Sequence, residues 1–304
     1  DRKEDKIMVG KQERRYQRMI TVVLALISLI MVIPLVLLVV ASFTSNNEIV
    51  LHGYSFFPKE LSLEAYRYIW NERAQVFHAY GITILVTAIG TTIGVMMTLL
   101  YAYVLAHEKF PGKTFLAFYL FFTMLFNGGL VPTYIMYTRY LHMKNTIPAL
   151  IIPGLLMSAF NVILTRTYIQ SNVPAALSEA AKIDGATEFQ VFRKVVLPMC
   201  KPIIATVGLF AGLGYWNDWT NGLYYITDTN KFSIQQLLNN MIKNIEFLSK
   251  NANSNINLAS VGGGIPQETV RMAIAIVGLL PILIVFPFVQ KYFVKGISIG
   301  AVKG

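Results

Sequence analysis

Glu179-Ala180-Ala181-Lys182-Ile183-Asp184-Gly185-Ala186, continuing to Leu197-Pro198, is a polar interruption between two strongly apolar stretches. Pro174 suits the first turn of a helix, and Ala175 to Lys182 has high helix propensity. Gly185 can adopt the left-handed conformation that ends a helix and turns the chain. Thr187, three residues before Gln190, is placed for a capping box on a second short helix. Phe189, Phe192 and Val196 recur at helical spacing and are expected to rest against the base of the neighbouring spans. Pro198 and Pro202 are expected to stop this second helix and open the next span. The segment reads as a rigid helix–turn–helix that presents Glu179, Ala180, Ala181 and Asp184 outward. Small residues let a partner close over the helix, and the carboxylates suit a basic partner. An amphipathic helix resting on lipid is the alternative, and an acidic, alanine-rich face suits lipid poorly.

The surroundings define a membrane protein. Of 304 residues 55% are hydrophobic and 14% charged, with a mean hydropathy of +0.53; soluble domains average about 25% charged. The net charge of +10 reflects orientation and contact with anionic membrane lipid, and no nucleic-acid partner is expected. Cys200 is the one cysteine, so no internal disulfide can form. The chain opens on Asp1 rather than Met, so its true start is expected to lie upstream.

Six apolar stretches are long enough to cross a hydrocarbon core of about 30 Å. They run over 19–43, 79–105, 114–137, 147–169, 203–219 and 270–292. The first is too long for the core of a cleaved signal peptide. Gly81, Gly90 and Gly94 in the second would let neighbouring helices approach closely. Asn127-Gly128-Gly129 and Pro132 interrupt the third, Pro153-Gly154 the fourth, and Pro281 and Pro287 lie in the sixth. If the N-terminus is cytoplasmic, Lys59, Arg67, Arg73, Arg139, Lys144, Lys231, Lys243, Lys250 and Arg271 fall outside. The larger remainder of the 26 Lys and Arg falls inside, as the positive-inside rule requires. Both termini are then cytoplasmic, as is the segment 170–201, and 220–269 is expected as a long extracellular polar loop. The expected organisation is a cytoplasmic segment 1–18, a first span with its extracellular connection 19–77, a core domain 78–292 and a cytoplasmic tail 293–304.

No Asp, Glu, Lys or Arg falls near the middle of a span, which argues against a proton path. Asn161 is either an interhelical hydrogen-bonding group or a pathway residue. Gly112-Lys113-Thr114 lacks the first glycine of a phosphate-binding loop, since His107 stands in its place. No metal-ligating cluster and no nucleophile elbow is evident, and the four histidines look structurally ordinary. Neither an enzyme nor a resident metal is expected. A self-sufficient channel or ion-coupled secondary carrier is the alternative to a transporter driven from outside the chain.

Glu179-Ala180-Ala181-x-x-Asp184-Gly185-Ala186 with Leu197-Pro198 resembles the EAA loop of permease subunits of binding-protein-dependent ABC importers. Asn127-Gly-Gly-Leu-Val-Pro-Thr-Tyr134, Trp216-Asn217-Asp218-Trp219 and the tail from Gln290 to Gly304 are similar to the carbohydrate, maltose-permease-like branch. Within it they resemble the subgroup that imports complex oligosaccharides in Gram-positive bacteria. The resemblance implies an all-α integral membrane protein of the type I importer permease fold, with six transmembrane helices and a cytoplasmic coupling helix. It also implies a second permease, two ATPases that bind ATP and Mg, and an extracellular sugar-binding lipoprotein. Glu179, Ala180, Ala181, Asp184 and Gly185 would couple to the ATPase, and the tail 291–304 would reach between the two ATPases. The loop 220–269, with its Asn- and Ser-rich stretch 251–260 and Gly262-Gly263-Gly264, would meet the binding protein and reach its sugar cleft. Tyr134, Asn161, Trp216, Asn217, Asp218 and Trp219 are candidates for the sugar path, because aromatic faces and amides suit sugars. Trp216 and Trp219 are equally expected as interfacial anchors.

Overall fold

The structure, a computed structural model, describes residues 11–107, 110–252 and 266–301. The described residues are helical, with one isolated antiparallel bridge between Thr44 and Leu61. Chain order gives α1 (Lys11–Ser42), α2 (Asn46–His52), α3 (Glu64–Asn71), α4 (Arg73–Ala106) and α5 (Lys113–Leu125). Next come α6 (Leu130–Tyr140), α7 (Pro148–Ile151), α8 (Ala159–Asn172), α9 (Ala175–Ile183) and α10 (Glu188–Met199). The series closes with α11 (Lys201–Asn217), α12 (Thr220–Tyr225), α13 (Ile234–Ala252) and α14 (Gln267–Ala301).

Among the described residues, three stretches are long and apolar enough to cross a membrane: Arg15–Ser42, Arg73–Ala106 and Gln267–Pro287. Two bent pairs raise that to 5 if each is one span: α5 with α6 at 114°, and α10 with α11 at 80°. The sequence suggested six crossings, with glycine and proline interrupting the third and fourth, and the helices break at those two places. After α5 the Asn127 side chain accepts a bond from the Gly129 amide at 2.8 Å, and Gly129 turns the chain at φ +84°. The fourth stretch divides into α7 and α8 because Pro153 has no N–H to continue the helix and Gly154 sits at φ +72°. Pro281 and Pro287, by contrast, lie inside the uninterrupted α14.

The chain forms two compact units. One takes the residues through Asn71 and Asn244–Val277. In it α1 is exposed along its apolar window, as befits a helix apolar on all sides and suited to lipid. Ser42 and Tyr66 share a hydrogen bond at 2.8 Å, and the rings of Phe43 and Tyr66 stack at 4.8 Å. Arg271 bridges Glu268 and Glu246 at 3.1 and 3.3 Å.

The other unit takes Glu72–Lys243 and the residues from Gly278 onward, and is built on α4. Helix α4 packs along α11 and α8. Two of its three glycines permit that approach. A Cβ on Gly90 would come within 2.4 Å of the Tyr215 ring, and one on Gly94 within 2.7 Å of the Leu156 carbonyl oxygen. Gly81, expected to serve the same purpose, faces open space. Below these contacts Leu99, Ala102 and Leu105 of α4 join Val162 of α8, Val191, Phe192 and Val196 of α10, and Ile203 of α11 in one buried cluster.

Among its described residues, the expected polar loop 220–269 is largely helical. Ile234, Leu237, Leu238, Met241 and Ile245 fall on one buried face of α13. The intervening Asn and Gln masked that spacing in the sequence. Residues 253–260 of the Asn- and Ser-rich stretch and Gly262-Gly263-Gly264 lie outside the described residues, as do 1–10 and 302–304.

Candidate functional site

The polar segment is a helix, an elbow and a second helix. Helix α9 ends in a double closure: the Gly185 amide donates to the Lys182 carbonyl at 3.0 Å, and the Ala186 amide reaches back to the Ala181 carbonyl at 2.9 Å. This pair of bonds needs a left-handed residue between them, and Gly185 supplies it at φ +84°. Two residues on, the expected capping box is present. Gln190 N–H donates to Thr187 Oγ1 at 3.3 Å, and Thr187 N–H to Gln190 Oε1 at 2.8 Å. Pro198 does not stop α10. The helix widens to π register over Phe192–Val196 and runs through Pro198 to Met199. That register absorbs the N–H that Pro198 cannot offer to the turn before it. The break falls instead at Cys200, whose ψ of 2° leaves the helix, and Pro202 lies in the first turn of α11.

Helix α9 has three faces. Ala181, expected outward, is half-buried against the core cluster, and Ala186 beyond the elbow joins it there. A second face, with Ala175, Ser178, Glu179 and Lys182, lines a groove of about 490 Å³ together with Tyr103 and His107 from the end of α4 and Ile169 and Gln170 from α8. The third face is open: Ala176, Leu177, Ala180 and Ile183 are exposed, Ile183 by 86%, and Asp184 and Gly185 follow them. Glu179 is exposed at the rim of the groove. The sequence reading missed Leu177 and Ile183, although their spacing with Ala176 and Ala180 marks an apolar helical stripe. On α10, Phe192 and Val196 are buried as expected, but Phe189 is 65% exposed.

A side-chain cluster that the sequence did not suggest meets at Glu188, the first residue of α10. Its Oε1 pairs with Lys182 Nζ at 2.5 Å, and its Oε2 accepts from the Tyr103 hydroxyl at 3.0 Å. His107 Nε2 lies 3.8 Å from Oε2 and 3.4 Å from Lys182 Nζ. The Lys182 bond, with Tyr103 and His107 behind it, holds the Glu188 carboxyl below the usual carboxylate range. His107, ordinary in the sequence, thus stands at the junction of α4 and the elbow. The 75 to 85 residues separating these partners hid the cluster from sequence reasoning.

The sugar-path candidates meet different neighbours. The Tyr134 ring stacks with Tyr225 at 5.9 Å and an interplanar angle of 14°. Asn161 is buried on α8, one turn before Thr165, whose hydroxyl donates to the Asn161 carbonyl at 2.7 Å. Trp216 Nε1 donates to the Gly278 carbonyl at 3.3 Å, and its ring lines an apolar cavity of about 570 Å³ with Ile84, Gly212 and Phe286. Asn217 bonds back to the Leu213 carbonyl at 3.0 Å. Asp218 Oδ1 accepts from the amides of Thr220 and Asn221 at 3.0 and 3.2 Å, which caps α12. Trp219 is 44% exposed, with Lys243 Nζ 6.0 Å over its ring.

The elbow is closed by its own backbone bonds and capping box, and it leaves one apolar face of α9 open. Residues 90–299 match the family described as binding-protein-dependent transport system inner membrane component, and the chain belongs to that family. Among its relatives, the polygalacturonan/rhamnogalacturonan transport system permease protein YtcP of Bacillus subtilis is 35% identical over 96% of this chain and 100% of that protein. Protein LplC of the same organism is 34% identical, with 90% of each chain covered. A crystal structure of a bacterial ABC transporter involved in the import of the acidic polysaccharide alginate matches with a TM-score of 0.74 at 27% identity. That match covers 93% of this chain and 98% of the other.

Proposed function

We propose that this chain is the transmembrane permease subunit of an ATP-driven ABC importer that takes up an oligosaccharide. The single observation that carries the coupling assignment is the open stripe Ala176, Leu177, Ala180 and Ile183 on a helix fixed by its glycine elbow and backed by the core. An apolar stripe exposed beyond the membrane core, with small residues at its centre, suits a partner that closes over it. Glu179 and Asp184 at its edge suit basic groups on that partner. In this reading α9 docks into an ATPase, and a second permease completes the pathway. Two ATPases bind ATP and Mg, so this chain holds no cofactor of its own and performs no chemistry. An extracellular lipoprotein delivers the sugar. The sugar class follows YtcP, a polygalacturonan/rhamnogalacturonan transport permease, and the alginate transporter. Six crossings, with both termini and the elbow in the cytoplasm, follow if the bent and broken helices each cross once.

The test is reconstitution of the chain with its partner permease and ATPase in liposomes. Expected is ATP hydrolysis stimulated by sugar-loaded binding protein, accompanied by sugar uptake, and none from this chain alone. Sugar flux from the lone chain driven by an ion gradient would overturn the reading.

A further inference from the structure

We propose that Glu188 is a positioning residue: it pins the elbow to the end of α4, so that a displacement of α9 is delivered along α4. This rests on the permease reading and names how motion would leave the coupling helix.

The elbow does not need Glu188 for its own shape. Backbone bonds close α9, and Thr187 with Gln190 starts α10. Glu188 lies beside these devices and bonds elsewhere. One carboxylate oxygen holds Lys182 on α9, and the other holds the Tyr103 hydroxyl on α4 with His107 beyond it. The carboxylate therefore ties three chain segments, and the Tyr103 ring, 5.1 Å from Phe192, adds an apolar contact between α4 and α10. The Glu188 and Lys182 side chains are 61% and 38% exposed, and ion pairs of that kind add little to stability. A weakly stabilising cluster that nevertheless joins distant segments suits a part that orients.

Helix α4 is suited to carry the displacement. At 34 residues it spans about 50 Å. Towards its other end His78 Nε2 lies 2.7 Å from the Asn230 carbonyl oxygen, and Thr83 Oγ1 accepts from the Ile234 amide at 2.8 Å. Between the two ends Gly90 sits against Tyr215 of α11. The pinned elbow would thus move the 228–234 connection at the far end of α4 together with α9.

The experiment uses the reconstituted complex and reads sugar transported per ATP hydrolysed, beside co-purification of the ATPase. Glu188→Gln and Tyr103→Phe should each leave ATPase binding intact and lower the transport ratio about five-fold, the consequence of a coupling lost by roughly 1 kcal/mol. Applied together they should lower it no further than either does alone, because both break one connection. Glu188→Lys with Lys182→Glu should recover the ratio relative to Glu188→Lys alone. An unchanged ratio in Glu188→Gln, or independent addition of the two effects, would overturn the pin. A wild-type complex that neither binds an ATPase nor imports sugar would instead overturn the permease reading beneath it.

Discussion

The two ends of the apolar helix α11 use similar residues in opposite ways. At the Lys201 end, backbone amides of the elbow are satisfied by backbone carbonyls and a capping box, so the side chains of Ala180, Ile183 and Asp184 are left facing outward. At the Asn217 end the polar side chains serve the chain itself. Trp216 holds the Gly278 carbonyl, Asn217 holds its own helix, and Asp218 caps α12. Side chains that face outward, as those of Ala180, Ile183 and Asp184 do, are open to a partner, whereas a side chain used in closing the backbone, as that of Asp218 is, is framework. On this basis the elbow is the stronger site and the Trp216–Trp219 stretch the weaker.

The sharpest way to break that contrast is to load each end with an unsuitable side chain. Ala180→Arg, or Ile183→Asp, should weaken ATPase association at least about 30-fold, as expected for a central interface position worth roughly 2 kcal/mol. Membrane insertion and melting temperature should stay unchanged, since both side chains are exposed. The corresponding load at the other end, Trp219→Arg, should leave association untouched. Affinity for the isolated ATPase, measured in detergent, decides it; equal losses at the two ends would erase the distinction.

The framework joining the ends offers the next test. Gly94→Ala sets a methyl group 2.7 Å from the Leu156 carbonyl oxygen, a backbone atom that cannot swing aside. It should destabilise the protein by about 1–3 kcal/mol. Gly81→Ala, which meets nothing within 4 Å, is the control and should melt as wild type does. A loss of transport from Gly94→Ala that tracks its thermal melt would mark the contact as structural. A loss without a change in melting would mark the α4 packing as part of the moving mechanism.

Much of the elbow was legible because it is local. Gly185, Thr187 and Gln190 act within a few residues of one another, and each adopted the conformation its chemistry favours. The orientation of Ala181 was not legible, because which side of a short helix faces inward depends on α4, α8 and α10, not on the EAA spacing. The Glu188 cluster was hidden for the same reason: Tyr103 and His107 come from the end of a different helix. Helix α13 was missed for a different one. Its apolar positions 234, 237, 238 and 241 follow helical spacing, but Gln235, Gln236, Asn239 and Asn240 between them make the stretch as a whole polar. The breaks after Leu125 and Ile151 were visible as glycine and proline, yet nothing local states whether a membrane helix bends there or, as at Pro281 in α14, continues.

A smaller effect separates the two roles open to Asp218. If it only caps α12, Asp218→Ala should cost about 1 kcal/mol of stability through the lost amide acceptor, and Asp218→Asn, which keeps an acceptor oxygen, should cost less. Sugar uptake should follow the melting temperature in both variants. If Asp218→Asn stops uptake while melting as wild type does, the carboxylate contacts the sugar, and the Asn217 end of α11 becomes a site in its own right.

The smallest expected effect is the dependence of coupling on pH. The Glu188 carboxyl is held below its ordinary value of 4.5, foremost by Lys182, so the carboxylate it contributes to the cluster is present above that pH. As pH falls, the contribution is lost only through the lower folded value. The ratio of sugar to ATP should therefore stay flat from pH 8 to about pH 5 and fall only on further acidification, where Glu188→Gln should show no comparable fall. The groups facing this carboxylate are Lys182, Tyr103 and His107. A break in the wild-type profile that persists in Glu188→Gln and is abolished by His107→Gln would move control of the elbow from the carboxylate to its neighbour on α4. The same outcome would leave the open face of α9 as the docking surface, because His107 lies at the end of α4 and not on that face.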